Sequence, residues 1–409
     1  MKIHAIKTVA LGLFCLVAGC APIISSLKPA STPRGITSTS QAKHIAFLLP
    51  LNGSLGHAGQ AVRDGALAAY YKAKQSQSVV PKVNFYNTAS NQNVVALYNQ
   101  ALAQGADMVI GPLDKPNIAK LTNSGSIKVP TLVLNDIPER ARITPDLLQL
   151  SLTQAAEAEQ VAKQAWQDGK RRALLIIPPG RWGAQIGQAF ASTWQQQGGV
   201  IVDSMSLQRD QNVNLAVKQL LKVGYLQEEL KHPQRGKKTQ LIPRPRQDAD
   251  MIFIALSSDL ARQIKPLLQF YYADNLTVYA TSLAIGSQAT PNEALDMQGV
   301  IICDMPWVIS QPQPHAHADQ KNRLYALGMD SYELSQNLYK LNSSAGFSGN
   351  IGVLQLGANN KINRRLVCTT LTQTADSATS QAILNTPNST AKGLVEYSNI
   401  DANDEYVAF

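Results

Sequence analysis

The sequence predicts an α/β protein of two lobes, each built on a parallel sheet covered on both faces by helices. Three observations carry this prediction. Short apolar runs recur without the alternation of a half-exposed strand, which marks strands buried on both faces. Helical patterns separate these runs, the order that builds βαβ units. The whole series then occurs a second time within 409 residues, a length sufficient for two full cores.

The stretch KHIAFLLPLNGSLGHAGQAVRDGALAAYY (43–71) sets the pattern. Ile45 to Leu51 is an apolar run fit for a buried strand, Asn52, Gly53 and Ser54 form a small-residue turn, and Ala58, Val62, Ala66, Ala69 and Tyr70 fall on one helical face. Ligands of open α/β sheets sit beyond the carboxyl ends of strands, so Asn52, Gly53 and Ser54 would face a cleft. Strands at 44–49, 82–86, 107–110 and 131–134, with helices at 57–74, 91–104 and 115–123, complete the first series. The second comprises helix 153–168, strand 172–177, helix 183–197, strand 200–205, helix 211–223, strand 250–256, helix 258–271 and strand 277–280. Strand 299–303, a long helix at 320–341 and strands 351–356 and 362–370 are too few for a third domain and read as returns of the chain to each lobe. No short-period repeat is visible. Residues 373–409, rich in Thr, Ser, Asn and Ala, read as a flexible tail.

A hydrophobic content of 44% with 16% charge excludes a disordered chain. The formal charge of +9 includes Lys2 and Lys7, which lie in a segment (1–19) with the form of a signal peptide: a positive start, then an apolar core from Val9 to Val17 too short to span a bilayer. The remaining surplus would favour an anionic partner, ordinary solubility being the plainer reading. Leu16-Val17-Ala18-Gly19-Cys20 resembles a bacterial lipobox, in which Cys20 becomes the acylated amino terminus. Several acyl chains anchor far more firmly than one, since each buried methylene adds about 0.8 kcal/mol. Ala21, where inner-membrane lipoproteins carry Asp, points to the outer membrane. Residues 20–42, with their prolines, serines and threonines, make a lipidated tether reaching at most about 75 Å. An exported chain could form a disulfide, but Cys303 and Cys368 each sit inside a strand-like run and read as two buried free thiols.

Residues 231–246, KHPQRGKKTQLIPRPR, hold six Lys or Arg, no acid and three prolines, in a connection longer than usual. Lys237, Lys238, Arg244 and Arg246 are its candidate contacts for an anionic partner; a solvated structural loop is the alternative. No aromatic platform interleaves the charges, so nucleic acid is not expected. Gly53, Gly56 and Gly59 are spaced GxxGxxG and not GxGxxG, and no acid follows near Asn87, so no dinucleotide is expected. The three SxxK matches (Ser25, Ser40, Ser389) lack companion motifs. His315, His317 and Asp319 lie in a Pro- and Gln-rich connection that offers no frame for a metal. No catalytic residue, metal or cofactor is expected. Trp182 at a strand-to-helix turn, and Asp304 and Trp307 after the late strand, suit either cleft lining or packing between lobes.

Taken in order, IAFLLPLNGSLGHAGQAVRDGALAAYY, GADMVIGPL, ALLIIPPGRWG, RPRQDADMIFIAL, YATS, CDMPW, LYALGMDSYEL and INRRL resemble the carboxy-terminal domain of the penicillin-binding-protein activator family of lipoproteins, the LpoA family, over roughly 43 to 370. The resemblance implies a type I periplasmic-binding-protein fold, two doubly wound lobes joined by three crossings near 149–151, 280–283 and 342–348. Lobe 1 would then be 43–149 with 281–343, and lobe 2 would be 150–280 with 344–372. It also implies an outer-membrane lipoprotein, not an enzyme, that binds a class A penicillin-binding protein and stimulates its peptidoglycan synthesis. Longer members carry a helical-repeat domain where this sequence has only the tether. The competing class is a solute-binding lipoprotein for an amino acid or related small ligand. Ser54, Thr281 and Ser282 could supply hydroxyls to such a ligand, but Gly111-Pro112-Leu113 leads to Asp114, a carboxylate that would repel an anion.

Overall fold

The computed structural model describes residues 41–90, 93–138, 141–208, 210–225, 243–285, 295–310 and 320–371. The signal segment, nearly all of the tether, Lys237, Lys238, the histidine pair and the tail lie outside them.

The first sheet is parallel throughout, in the order β2-β1-β3-β4-β5. Its strands are β1 (His44–Leu49), β2 (Lys82–Asn87), β3 (Met108–Ile110), β4 (Thr131–Val133) and β5 (Leu147–Gln149). Strand β1 is central and buried along its whole length, as its apolar run requires. Helices α1 (Gly56–Ser76), α2 (Val94–Ala103) and α3 (Lys115–Asn123) cover the faces. Asn93 caps α2 through the Val95 N–H, and Asp114 caps α3 through the Asn117 N–H at 2.9 Å.

The second sheet follows the order β16-β12-β11-β10-β6-β7. After α4 (Gln154–Gln167) come β6 (Arg172–Ile177), α5 (Gly180–Gln196), β7 (Val200–Ser206) and α6 (Val213–Leu220). A two-residue pair, β8 (Gly224–Tyr225) with β9 (Pro243–Arg244), brackets the basic insert. Then follow β10 (Met251–Ile254), α7 (Ser258–Phe270), β11 (Thr277–Ala280) and β12 (Ile301–Asp304). The chain turns through the one-turn helix α8 (Pro306–Ile309) before α9 (Gln320–Ser335), which lies along α1. Their close approach depends on two glycines. A Cβ on Gly65 would collide with the Tyr325 carbonyl oxygen, and one on Gly328 with that of Val62. Strands β13 (Phe347–Gly349), β14 (Gly352–Leu356) and β15 (Ile362–Arg365) form a small antiparallel sheet, tied to the end of β5 by the bridge between Gln149 and Lys361. Strand β16 (Val367–Thr370) ends the described chain. One apolar cluster runs through both lobes, from Phe47 and Ile110 in the first to Ile252 and Leu276 in the second.

Three expectations are corrected. Residues 301–304, placed in lobe 1 from sequence, belong to the second sheet, because Tyr279 and Ala280 pair with Ile301 and Ile302. The second crossing therefore follows Asp304 and not 280–283. The run 362–370 is two strands, split at Leu366: β15 stays with the small sheet and only β16 joins the second, so the third crossing falls there and not at 342–348. Cys303 and Cys368 are register partners on β12 and β16 and form a disulfide, not two free thiols. Every residue that visits lobe 1 between the second and third crossings is enclosed by this bond.

Closing a loop with a sequence separation of 65 removes denatured-state entropy worth roughly 4 kcal/mol. Replacing both cysteines, Cys303→Ser with Cys368→Ser, should lower the urea-unfolding free energy by about that amount. A loss below about 1 kcal/mol would mean that strand packing alone holds β16 in place.

Candidate functional site

The three crossings meet a cluster of buried charge. Glu157 stands in the first turn of α4, four residues after Thr153, which caps that helix as the chain leaves lobe 1. Its carboxylate, 3% exposed, accepts the Ser282 N–H at 3.0 Å, and Gln154 Nε2 donates to Ser282 Oγ at 3.0 Å. Asp304 is the last residue of β12 and fully buried. It accepts both terminal nitrogens of Arg323, from the first part of α9, with Nη2 to Oδ2 at 2.6 Å. Such a paired fork gives direction as well as charge neutralisation. Arg364, on β15 just before the third crossing, is 6% exposed; its Nη1 reaches the Ile351 carbonyl only at 3.4 Å, and its Nε and Nη2 have no hydrogen-bond partner among the described residues.

Burial pushes the Glu157 carboxyl up, and the neighbouring charge of Asp304 adds to it, while Arg323 and Arg364 oppose both. Burial likewise lowers Arg364, against the pull of Glu157 and Asp304. Nearby, Ser151 on the first crossing donates to Asp136 at 2.7 Å. Asp330 of α9 accepts the N–H groups of Asn350 and Ile351, fixing the β13–β14 turn, and burial carries its carboxyl up to about 6.

Of the residues singled out from sequence, only Ser282 and Asp304 touch this cluster through hydrogen bonds that reach it. Asn52, Gly53 and Ser54 are exposed on their turn. Gly111, Pro112 and Leu113 are packed in the core: Gly111 has φ +100 and lies against the Leu48 carbonyl, leaving no wall for a ligand. Asp114 does not face a ligand either, since both its oxygens are engaged by Asn117. Thr281 is buried with its hydroxyl unpartnered among the described residues. Trp182 packs on the second lobe's core, and Trp307 stacks beside Tyr325 with ring centres 5.9 Å apart. Glu157, Arg323 and Arg364 were not singled out from sequence. The nearest signal was their position in or beside segments that carry the family resemblance, INRRL for Arg364 and LYALG for Arg323.

The basic insert also divides. Arg244 is exposed at its root. Arg246, expected to meet a partner, is instead an internal clamp: its side chain is 4% exposed and donates to Asp248 at 2.6 and 3.0 Å, to Asp203 at 2.9 Å and to the Leu220 carbonyl at 3.0 Å. Two grooves lie on the second lobe, one of about 720 Å³ between α4 and α5, lined by Lys163, Arg181 and Gln188, and one of about 630 Å³ between α6 and α7. Neither is lined by a candidate cleft residue.

Residues 35–371 match the LppC lipoprotein family. The chain belongs to that family. Penicillin-binding protein activator LpoA of Serratia proteamaculans is 30% identical over 317 residues, 71% of this chain and 46% of the relative. That of Vibrio antiquarius is 28% identical over 79% of this chain and 56% of the relative. This LppC-family chain thus spans about half the length of the curated relatives it matches. Among solved structures, the C-domain of LpoA from Haemophilus influenzae, described as a regulator of PBP1A, superposes with a TM-score of 0.64 at 24% identity, covering 80% of this chain and 97% of that one. A branched-chain amino acid ABC transporter protein from Chromobacterium violaceum gives 0.61 at 28% identity, covering 80% and 99%. The architecture is the two-lobed α/β fold of periplasmic-binding-protein-like chains.

Arg246 holds the Asp248 carboxyl down to about 2 and keeps Asp203 below its ordinary value. Both therefore ionise at lower pH in the folded than in the unfolded chain. The stability they contribute is complete above the ordinary value of 3.8 and drains as pH falls toward about 2. Arg246→Met should cost roughly 1–2 kcal/mol at neutral pH and flatten the acid limb of the stability curve below about pH 4. An unchanged acid limb in urea titrations would show that the clamp does not set it.

Proposed function

We propose that this LppC-family chain is an outer-membrane lipoprotein, anchored through acyl chains on Cys20, that binds a class A penicillin-binding protein and raises its peptidoglycan synthesis. Its relatives are named as activators, and we read this chain as acting by contact and not by catalysis. The observation that carries this reading beyond the family is the state of the space between the lobes. Where a solute receptor offers its ligand free hydroxyls and room, this chain has core residues at Gly111 to Leu113, a capping Asp114 and an Asp304 taken up by Arg323, while the Thr281 hydroxyl and two nitrogens of Arg364 have no partner among the described residues.

The contact then falls to outer surfaces. The basic insert is our candidate, through Lys237, Lys238 and the exposed Arg244; Arg246 supports its root and does not take part. Its surplus of positive charge favours an acidic face on the synthase and makes the encounter sensitive to salt.

The mature chain, added at micromolar concentration to its cognate class A synthase in detergent, should raise the rate of glycan polymerisation or cross-linking. Reversing Lys237, Lys238 and Arg244 to Glu should weaken binding while leaving thermal unfolding unchanged. Absence of binding at micromolar concentration, together with a thermal shift on adding amino acids, would overturn the reading in favour of solute capture.

A further inference from the structure

The four buried charges have a distribution that the packing of two lobes does not by itself require. Glu157 follows the first crossing, Asp304 precedes the second, Arg323 follows it, and Arg364 precedes the third. Three stand within a few residues of a passage from lobe to lobe, and Arg323, 19 residues beyond Asp304, is brought back to the second one by its bond to that residue. The elements that carry them belong to different bodies: α4 and β12 to the second lobe, α9 to the first through its contact with α1, and β15 to the small sheet joined to β5. The Arg323–Asp304 fork therefore spans the two lobes, and α4 and β15, which carry Glu157 and Arg364, touch across the same boundary.

We propose that these four side chains form a lock that fixes the angle between the lobes, the chain's own charges taking the place of the ligand that closes a two-lobed receptor. Apolar contacts are non-directional and tolerate sliding. The continuous apolar cluster between the lobes would permit a range of angles. Buried charges do not, because an arrangement that separates Arg323 from Asp304 leaves both uncompensated in the interior, and one that moves Arg364 away from Glu157 removes one of the acids, with Asp304 and Asp136, that offset its charge. Hinge closure in binding proteins of this architecture is coupled to a ligand in the cleft. Here Asp304 and Ser282, which sit at that place, are engaged by Arg323, Glu157 and Gln154. Ser151, on the first crossing, is tied back to Asp136 of the first lobe. The lock does not depend on the identity of a protein partner.

Pulsed spin-label distances between the lobes test it on the full mature chain. Labels on cysteines introduced at the exposed positions Lys72 of α1 and Gln196 of α5 report the interlobe angle; Cys303 and Cys368 are bonded to each other, and Cys20 is replaced by Ser in the labelled chain. The wild-type chain should give one narrow distance population, unmoved by millimolar amino acids. Glu157→Gln, which keeps the shape of the side chain, and the paired change Asp304→Asn with Arg323→Gln should each broaden the distribution at least about twofold or add a second population. If the paired change fails to fold, the isosteric Glu157→Gln decides. Two populations in the wild type, a shift on adding amino acids, or wild-type distances in a folded Glu157→Gln chain would each overturn the proposal.

Discussion

A chain that passes three times between two lobes must bury backbone and side chains at the passages, and here it buries ions as well. The fork from Arg323 to Asp304 is the interaction on which the arrangement depends. Removing either partner would leave a charge in the core, a change that typically costs about 3–5 kcal/mol. Around it the other groups fall into place: Glu157 takes the N–H of Ser282, Arg364 balances Glu157, and Asp330 holds the turn that positions β14 and leads to β15. Apolar burial supplies most of the stability, but it is these directional groups that set how one lobe stands on the other.

Covalent and ionic closures repeat the same design at a larger scale. The disulfide from Cys303 to Cys368 joins the last strand before the second crossing to the first strand after the third, adjacent to Asp304 and close to Arg364 in sequence. The excursion into lobe 1 is thus shut at its base. At the other end of the second lobe, Arg246 gathers Asp203, Asp248 and the Leu220 carbonyl at the root of the basic insert. That root is held firmly by one arginine while the exposed arginine beside it, Arg244, stays free of the clamp.

Much of this was legible in the sequence. Strands such as β1 and β10 are apolar on both faces, and a strand with that pattern can only be central in a covered sheet. What could not be read was pairing between distant segments. The run around Ile301 announces a buried strand but not which sheet receives it, and the break at Leu366 shows only as a change of partner strand. The cysteines become neighbours only once that register is known. At the site, Asp304 was singled out with CDMPW, yet Glu157 looks like any acid in a first helical turn, where it suits the helix dipole. Arg246 looked like one more cation in a basic run; its burial depends on Asp203, far upstream in the sequence.

The functional account follows from these constraints. A two-lobed architecture in which Arg323 takes up Asp304 and Glu157 takes up the Ser282 N–H accords with the proposal that the work is done on outer surfaces, in a chain of the LppC family whose relatives are named as activators. Hydrogen–deuterium exchange of the mature chain, alone and mixed with the proposed synthase partner, tests this most directly. Segments 150–158, 301–305, 323–330 and 362–366 should already be strongly protected in the free chain and unchanged in the complex, with new protection confined to outer faces. New protection or exposure concentrated in those four segments, with the outer faces unaffected, would contradict the central claim.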